Sequence, residues 1–265
     1  MPVSAVDYHR MLIDSHAHVD LPDYDSDREE VMERAAAAGV CAIVNVGFNR
    51  ASSARALELA RTHPAVYCAA GVHPHDAKEF TARELDSYRS MLAGPKTVAV
   101  GEIGLDFYRD LSPRESQREV FRTFIRLARE VRKPVIVHDR DAHDEVLEIL
   151  KKEKAREVGG VMHCFSGDWP MARECLNMGF LISFAGPLTY RGSTRLAEVA
   201  RMAPRDMIMV ETDCPYLTPQ PFRGKRNEPA FVVKVAEELA RVRAIPFERV
   251  AELTLANTRR LFRVE

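Results

Sequence analysis

Apolar residues along this chain fall into two alternating patterns. Short continuous runs occur near 11–14, 40–46, 65–72, 97–102, 134–138, 160–164, 180–184 and 207–212. Their Val, Ile, Ala and Met content predicts parallel strands buried on both faces. Between them lie stretches near 26–38, 51–62, 81–93, 113–131, 141–154, 169–178, 193–203 and 229–243, which predict helices. In 113–131 the residues Val120, Phe121, Phe124, Ile125, Leu127 and Ala128 form one apolar stripe. Ser112-Pro113-Arg114-Glu115 predicts a capping box with Pro at the first helical position. Gly39 and Gly179 stand where helices hand over to strands, and Pro134 closes one helix and opens the next strand.

About eight consecutive β-α units with no flexible linker predict an α/β fold with a single (β/α)8 TIM barrel. A doubly wound open sheet would gather its site at one switch point, whereas here polar residues end most of the strands. The barrel is expected over residues 11–265, preceded by an N-terminal extension at 1–10. The tail at 246–263 reads as one or two extra C-terminal helices.

Composition narrows the function classes. A net charge of −1 over 265 residues excludes a basic protein that coats nucleic acid, yet leaves room for a local basic patch. Five cysteines, with no Cys-x-x-Cys pair, argue against a disulfide framework and favour a reducing compartment. Met1 to Arg10 lacks the apolar core of a signal peptide, and no apolar run approaches ~20 residues. A cytoplasmic protein with no membrane segment is expected, its oligomeric state open with a monomer favoured.

The strand ends carry the chemistry. In a TIM barrel the active site lies at the C-terminal ends of the strands. His16 and His18 end the first predicted strand, Glu102 the fourth, His138 the fifth, His163 the sixth and Asp213 the eighth. Residues two apart on a strand point the same way, so His16 and His18 can reach one ion. Six such ligands exceed what one four-coordinate ion needs, and a shared carboxylate commonly holds two ions ~3.5–4 Å apart. We therefore expect two divalent ions (Mg, Mn or Zn). His16, His18 and Asp213 would serve one, His138 and His163 the other, with Glu102 as the bridge. Two such charges acidify a water between them, and Asp213 is the expected acceptor of its proton. His9, His63 and His143 read as solvated or structural, and Cys164 and Cys214 as packing residues. His73 and His75 sit at the mouth, where substrate contact is favoured over ligation.

These segments resemble the TatD family of metal-dependent deoxyribonucleases within the amidohydrolase-like barrels. The resemblance rests on Ile13-Asp14-Ser15-His16-Ala17-His18, Gly71-Val72-His73-Pro74-His75, Gly101-Glu102-Ile103-Gly104-Leu105-Asp106-Phe107-Tyr108, Val137-His138-Asp139-Arg140, Met162-His163-Cys164-Phe165-Ser166-Gly167 and Glu211-Thr212-Asp213-Cys214-Pro215-Tyr216-Leu217. It implies a TIM barrel, divalent metal on the same six residues, and metal-dependent hydrolysis of DNA phosphodiester bonds, often from the 3′ end. Asp139 stands where relatives often carry Ser, beside the expected ligand His138.

The segment after the last strand, 218–229, places Arg223, Lys225 and Arg226 in a Pro-rich loop suited to phosphate oxygens. Arg140 and Arg109 are further candidates for phosphate, and Tyr108, Phe165, Trp169 and Tyr216 for stacking on unpaired bases, with packing favoured for Trp169. The expected substrate is DNA, as single strands or ends. A small-molecule amidohydrolase or phosphoesterase on the same barrel is the alternative, because the same ligands serve those reactions.

Overall fold

The computed structural model describes residues 10–264. Most of the expected N-terminal extension, His9 included, lies outside the described residues. Eight parallel strands follow in spatial order of sequence: β1 (Leu12–Ala17), β2 (Val40–Val46), β3 (Val66–Ala70), β4 (Thr97–Asp106), β5 (Val135–Arg140), β6 (Gly160–Met162), β7 (Phe180–Phe184) and β8 (Ile208–Val210). β1 and β8 meet through a parallel bridge between Ala17 and Cys214 and through Ser15 Oγ donating to Val210 O (2.9 Å), so the barrel is nearly closed. The expected TIM barrel is the fold observed.

The helices between strands are α1 (Arg28–Ala37), α2 (Arg50–Thr62), α3 (Leu85–Leu92), α4 (Arg114–Val131), α5 (His143–Lys152), α6 (Trp169–Asn177) and α7 (Thr194–Met202), followed by α8 (Val232–Arg243) and α9 (Phe247–Phe262). The tail is thus one helix. The apolar stripe of α4 buries Val120, Phe121, Phe124, Ile125, Leu127 and Ala128 as its spacing predicts. Its start differs from expectation. Ser112 does not cap α4: its Oγ donates to His75 O (2.6 Å) and accepts from Lys78 N, and Pro113 takes the N-cap position. Among the described residues no helix is long and apolar enough to cross a membrane.

Inside the barrel, Ile13, Val44, Val46, Ile136, Val161, Leu181 and Met209 pack as one cluster. Phe262 and Val264 join it from the end of α9 and plug the N-terminal end. The apolar plug separates this end from the C-terminal ends of the strands, where the polar side chains gather. One backbone feature sets the site's geometry. At Gly104 φ is +150°, and a Cβ would fall 1.9 Å from the carbonyl oxygen of His138, so only glycine lets β4 and β5 approach this closely.

Candidate metal centre

Five histidines and two carboxylates crowd the C-terminal end of the barrel because their strands and the loops after them deliver them there. His16 is the fifth residue of β1 and His18 follows it. Glu102 lies inside β4 rather than at its end, because β4 continues to Asp106. The register with β5 shifts between Val100 and Ile103, and this irregularity surrounds Glu102. His163 stands just past β6, and Asp213 three residues past β8 in a left-handed conformation (φ +57°). The Asp213 loop is stitched to β1: Asp213 N donates to His16 O and His18 N to Cys214 O (both 2.9 Å).

Glu102 is the hub. Its Oε1 lies 2.9 Å from His138 Nδ1, 3.0 Å from His163 Nε2 and 3.8 Å from His73 Nε2. Its Oε2 lies 3.5 Å from His16 Nε2 and 4.0 Å from His18 Nε2. Asp213 Oδ1 faces the same two imidazoles at 3.8 and 3.6 Å. Three sets of ligand atoms fall within 4.8 Å of one another: His16, His18 and Asp213; His16, Glu102 and His163; and His73, Glu102 and His138. The expected His138 and His163 pair is therefore split between two sets. The rings meet through Glu102 Oε1, which stands between them, and His163 instead stacks on His16 (3.8 Å between centroids).

Two observations test whether these residues fit a divalent ion. His18 Nδ1–H donates to Val46 O (2.7 Å), so its Nε2 carries a bare lone pair, and that nitrogen faces His16 Nε2 at 3.2 Å. Two nitrogens sharing one tetrahedral ion with bonds of about 2.0–2.1 Å stand about 3.3 Å apart. His16 Nδ1 is buried with no hydrogen-bond partner among the described residues, so the polar contacts of this ring are those of its Nε2. The donor set of imidazole and carboxylate is that of zinc, manganese or magnesium sites.

The remaining ring nitrogens are oriented by residues the sequence reading missed. His163 Nδ1–H donates to buried Glu211 (2.9 Å), which also accepts from Cys164 N (2.7 Å). His138 Nε2–H donates to Asp106 Oδ2 (3.1 Å), leaving Nδ1 to face Glu102. Such partners fix the tautomer and raise the basicity of a ligand imidazole. Asp106 is held by backbone N–H groups of Tyr108 and Arg109 (3.0 and 2.7 Å). Asp14 accepts from Thr212 Oγ1 and N (2.5 and 2.9 Å) and ties β1 to the loop after β8; burial pushes its carboxyl up to about 8.

Charge balance favours cations. Burial alone would raise the Glu102 carboxyl, but the surrounding imidazoles, His163 first, hold it well below its ordinary range. Burial pulls His138 down, yet Asp106 and Glu102 lift it to about 9. The carboxylates thus create a place for positive charge, whether protons or metal.

His73 behaves differently. Its Nδ1 accepts from His75 N (3.1 Å), so in the neutral ring Nε2 carries the hydrogen and faces the centre as a donor. Burial, then the charge of His138, keeps it well below the ordinary imidazole range. His75 is tied to Asp106 Oδ2 through Nε2 (2.8 Å). At the mouth, Arg140 lies over the exposed Tyr108 ring (4.1 Å) and Arg223 over Tyr190 (4.0 Å), and neither has a carboxylate partner among the described residues. Exposed Tyr216 stands edge-on to His18. Arg226, expected to reach substrate, is instead clamped to Asp27 by two hydrogen bonds (2.6 and 2.9 Å) over the Tyr24 ring. Phe165 is buried and Trp169 packs against the core. Cys214 is a buried packing residue. Cys164 is not: β6 has ended, φ is +41°, and its half-buried thiol is pushed up by burial and then by Asp213, Glu211 and Glu102. His63 pairs with Glu29 and His143 with Asp139, away from the centre.

Glu211→Gln tests this support. The variant should bind Mn²⁺ about 10–100-fold more weakly by calorimetric titration with little change in Tm. Wild-type affinity would show that Glu211 does not orient a ligand.

The sequence model of the TatD-related DNases matches residues 13–263. The metal-dependent hydrolase YabD of Bacillus subtilis is 48% identical over 254 residues, covering 96% of this chain and 100% of that protein. The 3′-5′ ssDNA/RNA exonuclease TatD of Erwinia tasmaniensis is 37% identical over 246 residues, 90% of this chain and 95% of its own. The crystal structure of YjjV, a TatD homologue of Escherichia coli K12, superposes with a TM-score of 0.92 at 32% identity, covering 97% of this chain and 100% of YjjV. An organophosphorus hydrolase of Deinococcus radiodurans shares the fold at 17% identity and a TM-score of 0.65.

Proposed function

The chain belongs to the TatD-related DNase family of metal-dependent hydrolases, and we propose that it cleaves phosphodiester bonds of DNA at single-stranded ends, working from the 3′ terminus. The observation that carries this reading is the Glu102 carboxylate, whose two oxygens face different sets of histidines. Two divalent ions there would neutralise a phosphodiester and acidify the attacking water. His16, His18 and Asp213 would hold one ion, and His138 and His163, which both meet Glu102 Oε1, the other, with Glu102 common to both. The Erwinia relative, named as a single-stranded DNA and RNA exonuclease, supports the choice of polymer.

The chain's own residues supply the remaining steps. Asp213 accepts the proton of the attacking water. His73 offers its Nε2–H to a phosphoryl oxygen. Arg140 and Arg223, with no carboxylate partner among the described residues, would grip flanking phosphates, and their tyrosine partners, with Tyr216, offer faces to unpaired bases.

An assay of the purified protein on 3′- and 5′-labelled single- and double-stranded DNA, with Mg²⁺, Mn²⁺ and Zn²⁺ in turn, tests this. Stepwise shortening from the 3′ end, abolished by chelator, is expected. Metal-dependent turnover of small esters or amides with no DNA cleavage under any metal would move the assignment to a small-molecule hydrolase.

A further inference from the structure

The other end of the barrel carries a second, differently built recess. A cleft of about 710 Å³ opens beside the Phe262 plug. Its walls come from the entries to β4, β5, β6, β7 and β8 and from the end of α9. Arg132, Lys133, Arg156, Arg260 and Arg263 all line it, in a chain whose net charge is −1. Glu157 is the only acid in the lining among the described residues, and it is already held by Arg129 (2.7 Å). Lys133 rests on Thr97 O (2.5 Å) and Arg260 on Asp206 O. Arg132, Arg156 and Arg263 are exposed and have no partner among the described residues. The cations press on one another: burial lowers Lys133, and Arg263 lowers it further. Between them lies an apolar wall of Pro95, Val98, Pro134, Leu181 and Met207.

Helix dipoles offer the simplest competing account. Helix C-termini point to this end of a barrel, and cations there are stabilised by the helix dipoles. Compensation of that kind does run around the rim, since α1 to α5 and α7 to α9 each carry a basic residue in the last turn. What sets the cleft apart is that five cations, drawn from three separate segments, converge on one concave space that has an apolar wall. Convergent guanidinium groups suit an acceptor that can take two hydrogen bonds per fork, and crowded charge suits a ligand with more than one negative charge. A phosphomonoester meets both demands, carrying about −1.5 to −2 at neutral pH. A recess of this size with apolar lining also matches ordinary organic ligands.

We propose that this cleft is a binding site for a phosphate-bearing organic anion, separate from the catalytic end. The site does not depend on the nuclease reading, since none of its residues reaches the metal centre. Two sources share the chemistry: a free nucleotide, or the terminal phosphate of a nucleic-acid strand.

Calorimetric titration of the metal-loaded full chain distinguishes them. The probes are thymidine 5′-monophosphate and a 5′-phosphorylated phosphorothioate oligothymidylate, which resists cleavage. The Arg156→Glu/Arg263→Glu protein should lose at least about tenfold in affinity for one or both probes while keeping wild-type Tm and metal content. The binding that this charge-reversed protein loses should persist in Asp213→Ala, which alters only the other end. A preference for the nucleotide identifies a free ligand. A preference for the oligonucleotide, with affinity falling steeply in salt, identifies a strand. Equal affinity in the charge-reversed and wild-type proteins, or no binding of either probe by wild type, overturns the proposal. Absence of DNA cleavage would sink the nuclease reading and leave this titration untouched.

Discussion

Glu102→Ala should abolish the hydrolase by emptying its metal centre. Glu102 is the one side chain that touches every imidazole of the cluster, with Oε1 facing His138, His163 and His73, and Oε2 facing His16 and His18. Loss of a residue that merely orients a ligand costs about 10–100-fold in metal affinity or activity, so loss of a carboxylate shared by the two proposed ions should exceed about a hundredfold for each. Metal content by mass spectrometry should fall well below that of wild type, and turnover should vanish with it. Glu102→Gln separates charge from shape. It keeps the volume and one acceptor oxygen, so Tm in chelator should match wild type while metal binding still fails. Retention of both ions and near-normal turnover in Glu102→Ala would falsify the shared-carboxylate centre.

Much of the site was legible because barrel topology converts sequence order into position. Strands in a TIM barrel lie in sequence order and open their C-terminal ends to one face, so polar residues after apolar runs must meet. That logic located His16, His18, His138, His163 and Asp213. It placed Glu102 by the same rule for a wrong reason: the residues after it look like the start of a loop, but β4 runs on to Asp106 with every position buried. The supporting acids were not legible. Asp106, Glu211 and Asp14 act on His138, His163 and Thr212, which lie 32, 48 and 198 positions away in the chain. Only the folded register reveals such pairs. Glu211 did leave a trace, since it precedes Asp213 by two residues after an apolar run. Arg226 shows the opposite failure. Its place in a basic loop suggested phosphate, but Asp27 at the start of α1 comes within 2.6 Å and takes it.

Asp213→Asn should separate proton transfer from metal binding. The carboxylate sits 14% exposed at the rim of the cluster, with Oδ1 3.6 Å from His18 Nε2 and 3.8 Å from His16 Nε2. Burial alone would raise it, but the facing imidazoles, His18 first, hold it below the ordinary carboxylate range. It is therefore ionised throughout the neutral region and ready to accept a proton. A folded-state pKa depressed in this way loses its ionised form only as pH falls below the usual carboxylate range. Between pH 5 and 8 the wild-type rate should show no limb from this group. Asparagine preserves the shape and an acceptor oxygen while removing the base. The expected loss in kcat is about 10²–10⁴-fold, the usual contribution of a positioned base, with a smaller change in KM. The residual rate should climb with pH, because hydroxide from solution then replaces the missing acceptor. Ions held by His138, His163 and Glu102 should remain, unlike in Glu102→Ala. A variant that keeps its kcat, or whose residual rate is flat with pH, would assign the proton to another group, with His73 the next residue facing Glu102 in the cluster.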